Sequence, residues 1–216
     1  MFTKLGTKLV RSRSIYFVIV LFLITVMFII VSRLRVFENR ASNPQEFPEY
    51  SSVRYPEDFR TTFQHYATVQ RPDGTIRDIY INVLGALYAR SGELPSGTII
   101  VIESYHAKTG QNGDYLTDSA GHYIKGEPLP MIHVREKRIP WAKTDFVSNA
   151  RNGDWNSGSF DRINGEPFKE SLSACFHCHS TAPNDFLYSF QLLQGYSQLR
   201  KPQYLVCRTT GRTACE

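Results

Sequence analysis

The strongest hydrophobic feature of the chain is an unbroken apolar run from Ile15 to Val31 that carries no charge. At about 1.5 Å per residue it spans roughly 25 Å as a helix, near the lower limit for crossing a bilayer. Ser14, Ser32 and local bilayer thinning make up the difference. Beyond it, residues 43–55 are polar and punctuated by Pro44 and Pro48, the pattern of a linker. The patterning then becomes that of a folded domain. Phe59 and Phe63 lie four apart and predict a short helix over 56–66. Thr75 to Val83 is rich in β-branched and aromatic residues and reads as a strand, entered through the turn Arg71-Pro72-Asp73-Gly74. A second turn, Leu94-Pro95-Ser96-Gly97, leads into a strand over 98–105. Residues 131–137 alternate, with Ile132, Val134 and Glu136 on one face and Met131, His133 and Arg135 on the other. A short helix is expected over 167–174 and another from about Phe186.

These elements predict a mainly β (α+β) domain: an antiparallel sheet with a few helices and its special chemistry at the C-terminal end. The boundaries read as a membrane anchor at 1–32, a linker at 33–54, one domain at 55–199 and a tail at 200–216. A domain of that length is the usual size for a single core.

Charge changes the picture of the anchor. The net charge is +5, but the first forty residues hold seven basic and one acidic side chain. The other 176 hold eighteen basic and nineteen acidic, so the folded part is close to neutral. A nucleic-acid-binding protein needs a basic face on the domain itself, and that class is set aside. Basic residues flank the apolar run on both sides. Lys4, Lys8, Arg11 and Arg13 suit either a signal peptide or an uncleaved anchor. The absence of a small-residue cleavage site after Val31 favours the anchor.

The chemistry concentrates in Cys175-Phe176-His177-Cys178-His179, a C-x-x-C-H sequence and the attachment signature of a c-type haem. Cys175 and Cys178 bind the porphyrin through their sulfurs, His179 takes the iron, and His177 is a spacer. A zinc site built with Cys207 and Cys215 fits poorly, because that later pair has C-x7-C spacing. Haem attachment of this type takes place outside the bacterial cytoplasm. It puts the domain in the periplasm, tethered to the inner membrane by a single pass. There Cys207 and Cys215 either form a disulfide or remain free thiols.

Four stretches carry a resemblance to the cytochrome P-460 family and its β-type cytochrome c-prime relatives. They are Tyr55-Pro56-Glu57 through Arg77-Asp78-Ile79-Tyr80 with Leu94 to Thr98, Glu103 to Lys108, Arg151 to Trp155, and Cys175 to Ser180 with Asp185-Phe186. The resemblance implies a mostly antiparallel β fold, a homodimer, and one haem per chain with an open distal side. It implies hydroxylamine oxidation or nitric oxide chemistry with a small cytochrome as electron acceptor, or gas binding alone in the c-prime relatives. In P-460 members a lysine also bonds to the porphyrin. Lys108 is the candidate here, with His106 at the competing position and a plain surface lysine as the alternative. His133 is the candidate distal base, or else an ordinary strand histidine; an unperturbed histidine titrates near 6.5. Arg77 and Arg135 read as solvated strand charges, Phe59, Phe63 and Tyr105 as core, and Trp155 as a loop anchor. A plain electron-transfer cytochrome would need Met131 or His133 as a sixth ligand.

Overall fold

In the computed structural model of the chain, residues 25–27, 52–142, 151–169 and 172–208 are described. The apolar run 15–31 lies outside them except for Thr25 to Met27, which are helical. No helix among the described residues is long and apolar enough to cross a membrane.

The elements follow in order: α1 (Phe59–Thr62), β1 (Gln64–Gln70), β2 (Thr75–Ile81), α2 (Val83–Tyr88), β3 (Ile99–Ala107), β4 (Lys125–Lys137), β5 (Trp155–Asp161), α3 (Ser173–His179), α4 (Phe190–Leu199) and β6 (Gln203–Val206). The strands form one sheet in the order β5-β4-β3-β2-β1-β6. Every pairing is antiparallel except β1 with β6, which is parallel. The sheet is therefore mixed, which corrects the expectation of a purely antiparallel one. The cause lies in the stretch read as a tail. After α4 the chain returns along the free edge of β1, and a helical crossover brings a strand in parallel.

Local chemistry accounts for most boundaries. The β1–β2 turn closes at Gly74 (φ 78°), where the Gly74 amide donates to the Arg71 carbonyl at 3.1 Å. A side chain on Gly74 would meet the Tyr115 ring, so the position needs glycine twice over. Asn82 caps α2 by accepting from the Gly85 amide at 3.1 Å. The helix expected over 56–66 shortens to α1, because Gln64 onward pairs with β2. Of the helix expected over 167–174, the described residues before Ser173 are not helical: Pro167 bridges to Phe160, and α3 covers only the last two positions. α4 starts later than expected, because Asp185 (φ 47°) and Phe186 (φ 56°) are left-handed and cannot continue a helix.

Alternation sorts the sheet into two faces. One packs Ile79, Ile81, Ile100 and Trp155 against Leu187, Phe190 and Leu193. The other packs Val101, Ile132 and Val134 with Val53, Phe59 and Phe160. Complete burial of a side chain such as Leu193 or Ile81 stabilises the fold by about 1.5–3 kcal/mol. The second face also carries a pair of opposed carboxylates, Asp78 on β2 directly across from Glu103 on β3. Like charges in that position repel. Lys125 and His65 offset Asp78, while Arg60 and Arg162 offset Glu103.

Candidate haem site

α3 places its reactive groups by helical spacing. Cys175, Cys178 and His179 stand at i, i+3 and i+4, so all three project from one face. That face lines a cavity of about 320 Å³. Neither cysteine is in a disulfide, and both are half-buried. The opposite wall is the sheet. Cross-strand register puts Ile79, Ile102, His133 and Ser159 in one row and Ile81, Ile100, Arg135 and Ser157 in the next. Ile102, His133, Ser159, Arg135 and Ser157 line the cavity with α3. An adjoining space of about 120 Å³ continues past His179 along Val69, Ile79, Tyr188 and Leu205.

His179 is held at its Nδ1. The Phe186 carbonyl lies 2.9 Å from that nitrogen. The tautomer that donates Nδ1–H there leaves the Nε2 lone pair for a metal, whereas the one that accepts from Arg135 Nη1, 2.6 Å away, carries its proton on Nε2. Burial, followed by the nearby Arg135 guanidinium, lowers the imidazole pKa to about 4, with the Phe186 carbonyl working the other way. The ring is therefore neutral at ordinary pH, the form that ligates iron.

Three short contacts set the position of that carbonyl. The left-handed pair Asp185-Phe186 turns it toward His179, and the Asp185 carboxylate anchors the turn. Asp185 accepts from Trp155 Nε1 at 3.0 Å, from Lys137 Nζ at 3.0 Å and from the Leu94 amide at 3.1 Å. Asn152 Nδ2 donates to the Phe176 carbonyl at 2.8 Å and so ties α3 to the start of β5. Gly153 leaves room for the Phe186 ring, since a Cβ there would stand 2.6 Å from it. The stretch Asn152-Gly153-Asp154-Trp155 thus serves the histidine rather than a surface loop. Trp155 is fully buried and is the first residue of β5.

Arg135 departs most from its expected place. The structure buries it to 4% exposure against His179, where a solvated charge was expected. Its Nη1 donates to the Phe186 carbonyl at 2.6 Å and lies 2.6 Å from His179 Nδ1. The guanidinium sits 5.3 Å from the Trp155 ring centroid. Burial lowers its pKa to about 10, partly offset by Asp185, so it stays charged at neutral pH. Residue type and alternation put Arg135 on the same face as His133. Only the approach of α3 shows that this face is closed over.

The sequence-derived candidates thus divide. Cys175, Cys178, His179 and His133 share the cavity. His133 Nδ1 pairs with Ser159 Oγ at 3.0 Å. Lys108 is exposed and does not line the cavity; its backbone pairs with Leu116 and Ile124. His106, also exposed, stands across from Thr75 and outside the lining as well. Cys207 is disulfide-bonded, and its expected partner Cys215 lies outside the described residues.

The donor set fits a haem. Two thiols outside any disulfide and a neutral imidazole converge on one wall. Arg71, Arg77 and Arg135 line the cavity with no carboxylate among the lining residues, which suits a group bearing two propionates. Arg77 itself is exposed at the cavity wall, as expected of a strand charge in contact with solvent. Arg135 Nε has no hydrogen-bond partner among the described residues, an orphaned donor of the kind a bound group explains.

A sheet face closed by a Cys-x-x-Cys-His helix over such a cavity defines a class, the sheet-based haem proteins. The family model for cytochrome P460 matches residues 56–189, and the chain belongs to that family. Membership implies a haem cofactor. No curated protein matches the chain.

Proposed function

We propose that this protein is a periplasmic c-type cytochrome, anchored to the inner membrane by the run at 15–31, that oxidises hydroxylamine or handles nitric oxide at an open iron site. The observation that carries this reading is the convergence of Cys175, Cys178 and His179 with His133 on one cavity. Cys175 and Cys178 hold the porphyrin through thioethers, and His179 Nε2 binds the iron. The haem supplies the site for a small nitrogenous ligand and the route by which its electrons leave. His133 accepts the substrate proton at Nε2 when its own proton sits on Nδ1 toward Ser159. Arg71 and Arg77 offset the propionate charge. The electron acceptor is a small cytochrome, and the working unit is a homodimer.

A second reading has its own support. Lys108 stands outside the lining residues, which favours a haem without a lysine bond and hence a nitric oxide-binding, c-prime-like protein.

Turnover of hydroxylamine with an artificial electron acceptor tests the first reading, alongside peptide mass spectrometry of the haem adduct. The expected result is turnover that falls about 10²–10⁴-fold in His133→Ala with an unchanged haem spectrum. Binding of nitric oxide with no hydroxylamine turnover, and no Lys108 peptide on the porphyrin, selects the second.

A further inference from the structure

Arg135 makes more contacts than a loop clamp needs. It is one of the least exposed charged residues of the chain, and it makes no ion pair among the described residues. The nearby Asp185 carboxylate is instead engaged by Lys137, Trp155 and the Leu94 amide. The guanidinium donates to the Phe186 carbonyl at 2.6 Å, the same oxygen that faces His179 Nδ1 at 2.9 Å. Its second terminal nitrogen reaches Asn152 Oδ1 at 3.4 Å.

We propose that Arg135 is a positioning residue that raises the reduction potential of the haem. It does so by keeping a buried positive charge beside the proximal imidazole and sharing that imidazole's hydrogen-bond acceptor. The inference rests on His179 being the iron ligand.

Two effects act with the same sign. A carbonyl oxygen already engaged by a guanidinium accepts less strongly from Nδ1–H. The imidazole then gains less anionic character and donates less to the iron. A fixed positive charge in a low-dielectric site also disfavours the ferric state, which carries one more positive charge than the ferrous. The step concerned is a one-electron reduction: ferric haem takes one electron from an external mediator, and no bond or proton changes place. Arginine suits this post because its guanidinium stays protonated when buried.

The test is a spectroelectrochemical titration of the haem-loaded protein, paired with the iron–histidine stretching frequency of the ferrous form. Arg135→Gln replaces the charged donor to the Phe186 carbonyl with a weaker, neutral one, so both the charge and most of the competition for that oxygen are lost. Arg135→Lys keeps the charge. Trp155→Phe loosens the Asp185 turn and leaves Arg135 intact. At the wild-type midpoint, the ferrous-to-ferric ratio of Arg135→Gln should fall about tenfold, equivalent to about 59 mV. Its iron–histidine frequency should rise, while Arg135→Lys stays near wild type. Unchanged potential and frequency in Arg135→Gln overturn the proposal, as does an equal fall in Trp155→Phe. Wild-type protein without covalent haem overturns the functional reading as well, so the two failures are distinguishable.

Discussion

Trp155 Nε1 donates to Asp185 Oδ1 at 3.0 Å, and this bond joins the first residue of β5 to the turn that orients His179. The two residues are thirty apart in sequence. Between them lie the rest of β5 and all of α3. The sheet thereby dictates where the Phe186 carbonyl points.

Asp185→Ala should be among the most damaging single changes. Among the described residues it leaves the Lys137 ammonium, whose side chain is 3% exposed, with only the exposed Glu93 as partner. Breaking a buried pair in this way costs about 3–5 kcal/mol. Trp155→Phe removes one hydrogen bond to a charged group and should cost about 1.5–3 kcal/mol. Urea denaturation of the haem-free and haem-loaded proteins measures both.

Gly153→Ala should destabilise by more than about 1 kcal/mol. The residue has φ 56°, and the added methyl would press on the Phe186 ring. The Phe186 carbonyl would shift with its ring. A change in the haem spectrum should therefore accompany the drop in thermal midpoint, which a purely local strain would not produce.

Cys175→Ala and Cys178→Ala should each retain haem through a single thioether, and the double variant should lose covalent haem. The pyridine haemochrome band, which reports the number of vinyl groups left intact, checks this. Haem staining of denatured protein on a gel checks it independently.

Acid should weaken the far face of the sheet. Burial alone would raise the Asp78 pKa, but hydrogen bonds from His65, Lys125 and Thr68 outweigh it and hold the carboxyl below its ordinary range. A depressed folded-state value contributes stability that is fully present above the unfolded pKa, about 3.9. That stability is lost as pH falls from there through the folded value. Asp78→Asn should be less stable at neutral pH and show a shallower loss below about pH 4. Equal acid slopes for the two proteins in urea titrations would count against the assignment.

Much of the site was legible because short-range spacing carries it. Cys175, Cys178 and His179 identify their own chemistry, and a helix puts them on one face. The alternation over 131–137 correctly separated His133 and Arg135 from Ile132 and Val134, since side chains on a strand point to opposite faces. Alternation alone makes Arg135 a solvated charge, whereas the fold buries it. Period-two patterning says which residues share a face but not what covers that face. Helical spacing of Phe59 and Phe63 extends the expected helix to Tyr66 and so over the first three residues of β1, and only pairing with β2 decides between the two. β5 was missed because Asn156, Ser157, Gly158 and Ser159 have little strand propensity. Pairing with β4 places them in the sheet, with Ser157 and Ser159 on the cavity face opposite α3.

The sequence by itself determined the haem signature, the strands with clear alternation and the near-neutral domain behind a basic, apolar N-terminus. Each depends on residues close together in the chain, where spacing and chemistry suffice. Tertiary structure alone decided that β6 joins the sheet in parallel, that Arg135 is buried against His179, and that Lys108 stands clear of the cavity lining. Those outcomes depend on which distant segments meet. That is set by the packing of helices onto one sheet face and by the Asp185 carboxylate, 9% exposed, that had to find Trp155 and Lys137 to be tolerated there.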